Sequence, residues 1–423
     1  MKKVLVIAYY WPPAGGPGVQ RWLKFITYLR EFNIEPVLYI PKNPHYPIED
    51  ISLLKELPEG ITIYQKPILE PYAFASIFSS KKTKRISSGL IKTKKQSFLE
   101  KLFLWIRGNL FIPDARKFWV KPSIAFLKKV IAKEQINTII TTGPPHSVHL
   151  IGLGLKKSLG VRWLADFRDP WTSIGYHKKL KLTKASKRKH IQLEAEVLNT
   201  ADTVIVTSAT TKKEFSLITN SPIVVITNGF DGYTSGVKKV SAEFTIAHIG
   251  SLLTGRDPHV LWQVFSELIQ ENVKFKKYFK LQLVGVVSQD VLEAITSYGL
   301  LSHTKVIGYV SHEEAVAYQQ TAQVLLLIEM DTVETQGIIP GKLFEYMAAE
   351  RPILGVGPKD WEVGQLIKET NTGSAFLYSD KNKLKKQIVH WFTLYLEEAL
   401  HTSSKNIEKY SRRALTEQLA KQL

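Results

Sequence analysis

The chain has 423 residues, 44% hydrophobic and 22% charged, the composition of a globular protein with ample apolar material. A single core stops growing near roughly 250–300 residues, so two domains are expected. There is no cysteine, which excludes disulfides, thiolate metal sites and a cysteine nucleophile and fits a reducing cytoplasm.

In chain order, Met1-Lys2-Lys3 and the apolar run to Trp11 superficially resemble a signal peptide. Pro12, Pro13, Gly15 and Gly16 follow at once, with no small-residue cleavage pattern, so the run reads as a first strand entering a loop. Short β-branched runs then alternate with helical patterns. The first set of strands is expected at Val4–Tyr10, Pro36–Ile40, Thr138–Thr142, Arg162–Phe167, Thr203–Thr207 and Ile223–Ile226. A second set is expected at Phe244–Ile249, Lys280–Val286, Lys305–Tyr309, Gln323–Ile328 and Pro352–Val356. Most are continuous apolar runs, as in parallel strands buried on both faces. Strand–helix–strand order then implies right-handed crossovers and a doubly wound α/β fold.

The net charge of +19 is uneven. Lys81–Lys95 and Lys178–Lys189 each hold seven Lys/Arg and no acid. Solvated loops, an anionic membrane surface and nucleic acid are the readings open for them. No apolar run approaches the ~18–20 residues that span a bilayer. Phe98–Ile106, however, reads as an amphipathic helix with a wide aromatic and aliphatic face, suited to a membrane interface or to packing on its own domain. The stretch 79–97 is a basic excursion inside a first domain spanning 1–230. Asn228-Gly229-Phe230-Asp231-Gly232 is turn chemistry, and a polar linker at 231–243 leads to a second domain at 244–398. The end of the chain, 399–423, includes a helical segment from Tyr410.

Ligands of open α/β sheets bind beyond the carboxyl ends of strands, so the strand-to-helix turns carry the candidate chemistry. The first turn holds Gly15, Gly16 and Gly18 before a helix whose Val19, Trp22, Leu23, Ile26 and Leu29 share a face. Glycines let backbone amides approach an anion. The spacing is neither G-x-G-x-x-G nor a P-loop. The corresponding turn of the second half, Gly250-Ser251-Leu252-Leu253-Thr254-Gly255-Arg256, adds a guanidinium that matches phosphate oxygens. In Pro340-Gly341-Lys342-Leu343-Phe344-Glu345, Lys342 and Glu345 lie three apart on one helix face. The lysine can hold a phosphate and the carboxylate can accept two ribose hydroxyls; an ordinary surface ion pair has the same spacing.

These pieces occur with Gly143-Pro144-Pro145-His146-Ser147, Asp166-Phe167-Arg168-Asp169-Pro170-Trp171 and Asn228-Gly229-Phe230-Asp231. Together they make the chain resemble the retaining glycosyltransferases of family 4, of the kind that build bacterial cell envelopes and polysaccharides. The resemblance runs through nearly the whole chain. It implies a GT-B fold, two Rossmann-like doubly wound domains facing a central cleft, with the C-terminal helix crossing back to the first domain. It implies that Gly15 and Gly16 approach the donor phosphates, that Arg256 and Lys342 neutralise the diphosphate, that Glu345 binds the ribose, and that backbone at Tyr309-Val310 reads the base. Gly250 and Ser251 would complete the donor side. Two positions depart from the family. Gly337 stands where a second, sugar-contacting glutamate is often found, with Glu334 off register. Arg168 stands where many members place a histidine near the anomeric centre, so Asp169 is the nearest catalytic or acceptor-contacting group, with His146 and Arg168 as further acceptor-side candidates.

The expected reaction moves a sugar from a nucleoside-diphosphate sugar to an acceptor hydroxyl, with retention. No cofactor beyond the donor is called for, and no metal: there is no Asp-x-Asp motif, and His146 and His149 lack a third ligand. The expected partners are the nucleotide sugar, a glycan or lipid-linked acceptor, and an anionic membrane surface. The expected location is the cytoplasm, with peripheral attachment to the inner face of the plasma membrane. Two alternatives stand beside this: a nucleotide-sugar epimerase of the same fold, and a non-catalytic nucleic-acid-binding protein. The basic runs lack the interleaved aromatics that stack bases, which argues against the last.

Overall fold

The computed structural model describes residues 1–70, 98–175, 177–232 and 239–423. The basic run Lys81–Lys95 lies outside the described residues, as does part of the polar linker.

The chain divides into two compact units, Met1–Thr227 with Arg412–Leu423, and Asn228–Ser411. The first holds strands β1 (Lys2–Ala8), β2 (Ile34–Lys42), β3 (Thr62–Pro67), β4 (Thr138–Gly143), β5 (Arg162–Phe167), β6 (Thr203–Val206) and β7 (Ile223–Val225). They form one parallel sheet in the order β3-β2-β1-β4-β5-β6-β7. The second unit holds β8 (Phe244–Ile249), β9 (Phe279–Val284), β10 (Thr304–Gly308), β11 (Val324–Ile328), β12 (Ile353–Gly357) and β13 (Gly373–Leu377), in the order β10-β9-β8-β11-β12-β13. Both are doubly wound sheets, and in each the order reverses beside the first strand.

Burial follows from the sequence. Val4 to Ile7 and Val324 to Leu327 are completely buried, because central parallel strands are covered on both faces. Helix Pro17–Leu29 turns Val19, Trp22, Leu23, Ile26 and Leu29 inward, as the spacing requires. Its proline start needs no amide donor. On the other side it carries helix Arg412–Ala420, whose Leu415 and Leu419 join the first unit's core. Arg412 donates to Gln20 at 2.9 Å and Arg413 to Glu31 at 2.7 Å.

Two strands escaped the sequence reading. β3 and β13 are the edges of their sheets, and neither contains a buried residue. Strand ends also moved. The expected Lys280–Val286 stops at Val284 because Gly285, at φ +118°, turns its amide to the Gly308 carbonyl at 2.6 Å. Val4–Tyr10 stops at Ala8, and Tyr9 instead donates its hydroxyl to Glu70 at 2.6 Å.

Candidate functional site

The second unit's order reverses between β8 and β11, and the loops leaving those two strands carry its cation cluster. After β8 the chain turns at Gly250, φ +111°, into the loop ending at Arg256. The Arg256 guanidinium grips Glu329, the residue after β11, through two hydrogen bonds of 3.0 and 3.1 Å. Glu329 is 1% exposed and also accepts from the Met330 amide at 2.9 Å, so this end of the arginine is fixed.

Lys342 begins helix Lys342–Ala348 and reaches back under the β8 loop. A Cβ on Gly250 would stand 3.0 Å from Lys342 Nζ, which is one reason that position is glycine. The ammonium donates to His248 Nε2 at 3.1 Å. Burial, then the nearby Arg256 charge, push Lys342 down to about 7, with Glu329 and Glu345 opposing. Two cations held this close, with one carboxylate already committed to Arg256, make a place for an anion with several oxygens. Tyr346, on the same helix, accepts from the Ile249 amide at 2.9 Å and so ties the end of β8 to the lysine's helix.

Glu345 lies one turn after Lys342 and is oriented by the buried Gln319, whose amide donates at 2.9 Å. Rather than the surface ion pair that the spacing also allows, Glu345 accepts from Gln319 and Lys342 meets His248. Ser251 is exposed, and Tyr309, just past β10, is 72% exposed. His248, Glu329 and Gln319 were missed by the sequence reading. The first two sit at strand ends beside the reversal, a signal that becomes usable once strand order is known. A cavity of about 290 Å³ opens at the amino ends of β8, β9 and β10, near Lys280 and His303. It is remote from these strand ends.

In the first unit, the loop after β1 is tied down: the Gly15 amide donates to Ile48 carbonyl at 3.0 Å. That amide is therefore committed within the protein. Gly16 has φ +110° and starts helix Pro17–Leu29 without a side-chain cap. A Cβ on Gly18 would fall 1.4 Å from Arg168 Nη1, so glycine there makes room for the guanidinium. Arg168 also donates to the Pro144 carbonyl at 2.6 Å. The structure thus brings the β1 loop, the β4 loop and the residues after β5 together. Asp169 follows Arg168, and burial raises its carboxyl above the usual range, with Arg168 opposing. His146 is 5% exposed and stacks on Trp171, with ring centroids 5.0 Å apart. It sits behind the loop surface. His149 packs on Phe167 at 4.2 Å and pairs its Nδ1 with Thr141 at 2.9 Å. Among the described residues no group of three His, Asp or Glu side chains could hold a metal ion, and no helix is long and apolar enough to cross a membrane.

No protein-family model matches the chain, and a search of curated proteins found no match. Solved structures match over its whole length. Anabaena HepE, determined in complex with UDP and glucose, aligns with TM-score 0.61 and 14% identity, covering 100% of this chain and 99% of that one. The lipopolysaccharide outer core galactosyltransferase WaaB aligns with TM-score 0.58 and 14% identity, covering 100% of both chains. A putative UDP-N-acetylglucosamine 2-epimerase from Listeria monocytogenes aligns with TM-score 0.55 and 13% identity over 99% of this chain and 95% of that one. The fold is therefore GT-B, built of two Rossmann-like units with parallel sheets of seven and six strands.

Proposed function

We propose that this protein is a glycosyltransferase that moves a sugar from a nucleoside-diphosphate sugar to an acceptor hydroxyl, with retention, in the synthesis of an envelope glycan or polysaccharide. The observation that carries the reading is Lys342 beside the Gly250 turn with Arg256, held by Glu329, near enough for its charge to act on the lysine, where the second sheet reverses. Cleavage of the donor leaves a diphosphate, so the barrier depends on stabilising its growing charge. Preorganised cations do this, each contributing about 3–4 kcal/mol in the transition state. Arg256 and Lys342 take that role, the Gly250–Ser251 turn supports it, Glu345 accepts from the ribose hydroxyls, and Tyr309 marks the base. No metal ion or other cofactor enters this scheme, since the two side chains supply the positive charge.

On the first unit, we propose Gly15 and Gly16 as donor-binding residues and Asp169 as a catalytic or acceptor-contacting group, with Arg168 and His146 as further acceptor-side candidates. A carboxyl raised by burial is suited to exchanging a proton with an acceptor hydroxyl. The acceptor is a glycan or lipid-linked sugar. Helix Phe98–Asn109 supports attachment to the cytoplasmic face of a membrane: Leu102, Phe103 and Trp105 are 41%, 46% and 39% exposed. Lys117 lies over both Phe111 and Phe118 next to it. Aromatic and cationic groups presented together suit an anionic bilayer surface. Sedimentation with vesicles should show binding that rises with anionic lipid; equal recovery with neutral and anionic vesicles would end that part of the proposal.

The second reading, an epimerase, has a specific basis in the epimerase of the same fold. Product analysis separates them. The protein is incubated with UDP-, GDP-, ADP- and dTDP-sugars, with and without a lipid-linked oligosaccharide fraction. Glycosyl transfer requires acceptor and releases nucleoside diphosphate; an altered nucleotide sugar formed without acceptor would favour the epimerase.

A further inference from the structure

His248 lies on β8, two residues before Gly250, and is 1% exposed. Its Nδ1 stands 3.0 Å from the Leu326 carbonyl oxygen on the neighbouring strand β11. That oxygen can only accept, so a proton on Nδ1 satisfies it and leaves the Nε2 lone pair for a donor; the Ser251 backbone also bonds to the ring. Lys342 Nζ meets that lone pair at 3.1 Å. In the tautomer that satisfies the strand partner, the lysine finds an acceptor. The other charged groups facing this ammonium are Arg256 from the β8 loop, Glu329 from the end of β11 and Glu345 from the lysine's own helix. Glu329 is held by Arg256 and Glu345 accepts from Gln319, and both act on Lys342 through their charge. The His248 lone pair is the acceptor the structure records for it.

We infer that His248 is a positioning residue for the donor diphosphate, a neutral imidazole that holds the Lys342 ammonium in place over Gly250 ready for phosphate oxygens. The inference rests on the donor reading above. The fixed acceptor does two things: it restricts a flexible side chain to one geometry before ligand arrives, and it favours the charged lysine in a recessed place where charge is costly. Burial drives His248 itself well below its ordinary range, with the Lys342 charge adding to the effect, so it stays neutral and cannot compete as a second cation.

The test uses the full chain and three proteins: wild type, His248→Phe, which keeps the volume without an acceptor, and His248→Gln, which restores a side-chain oxygen. Affinity for UDP, GDP, ADP and dTDP is measured calorimetrically from pH 6.5 to 9, with melting temperature as the folding control. In the wild type the affinity should fall as pH rises above about 7, following loss of the Lys342 proton. In His248→Phe the fall should begin at lower pH, with at least 10-fold weaker binding at pH 7.5, and His248→Gln should recover most of it. Unchanged affinity and midpoint in His248→Phe, or a His248→Gln as weak as His248→Phe, overturns the inference. If none of the four diphosphates binds the wild type, the donor reading fails on its own. Nitrogen-15 spectra of the unliganded wild type then test the His248–Lys342 pair separately. A neutral Nδ1–H tautomer is the expected result; an Nε2–H tautomer or an imidazolium at pH 7.5 overturns it, and this measurement also stands if His248→Phe does not fold.

Discussion

Lys342 must be charged when a diphosphate arrives, yet it is held where charge is costly. Its folded pKa of about 7 lies well below the ~10.4 of an unfolded lysine. Between those values the unfolded chain holds the proton and the folded chain does not, so this group makes stability rise with pH through that window. Diphosphate binding, which needs the proton, should weaken over the same window. Lys342→Met should flatten both slopes and raise the melting temperature of the unliganded protein near pH 6.5. A wild-type and variant pair with parallel pH–melting curves would refute this. A second residue-scale prediction concerns Gly18. A side chain there must displace the Arg168 guanidinium, the movable end of a flexible group, rather than backbone. Gly18→Ala should change stability by less than about 1 kcal/mol. If Arg168 meets the acceptor, its transferase rate should fall about as far as that of Arg168→Ala. At this scale the sequence marks Arg256, Lys342 and Glu345 as candidates, because glycine turns and helix starts have local signatures. It concealed His248 and Glu329, whose meaning lies in which strands are neighbours.

Elements are locked to one another by a few buried polar groups. Asp166 on β5 is fully buried and accepts from Arg21 at 3.2 Å, Trp22 at 2.8 Å and Thr142 at 2.8 Å. One carboxylate thus joins β4, β5 and helix Pro17–Leu29. Asp166→Asn would leave the Arg21 guanidinium, itself 2% exposed, without its countercharge. Removing one partner of a buried pair costs about 3–5 kcal/mol, and denaturant unfolding should report a loss of that order. An unchanged midpoint would mean that Arg21 finds another partner. Asp166 shares its motif with Asp169, and the sequence does not say which carboxylate is structural; the three hydrogen bonds that Asp166 accepts do. The interior strands were legible as unbroken apolar runs. β3, reading Thr-Ile-Tyr-Gln-Lys-Pro, and β13, reading Gly-Ser-Ala-Phe-Leu, were not, because neither holds a buried residue or an unbroken run of β-branched residues to announce it.

At the scale of the molecule, the end of the chain belongs to the unit formed by its beginning. Leu415 and Leu419, 2% and 0% exposed, are seated in the first unit's core. Ending the chain at Ser411 should therefore destabilise the first unit by about 3–6 kcal/mol, the worth of two buried leucines, and leave the second unit's unfolding transition unmoved. Calorimetry resolving the two transitions checks this; an equal shift in both would contradict it. The two-unit architecture was readable from alternating strands and helices, and the strand order that locates the ligand end was not, since pairing joins segments far apart in sequence. The central claim is that the second unit binds a nucleoside diphosphate through Arg256 and Lys342. Thermal unfolding with UDP, GDP, ADP and dTDP tests it most directly, because a ligand at 100 times its Kd stabilises the folded state by about 2.7 kcal/mol. The wild type should melt at a higher temperature with at least one of the four, and Arg256→Ala and Lys342→Ala should lose that shift. No shift with any of them, or an equal shift in both variants, would contradict the claim.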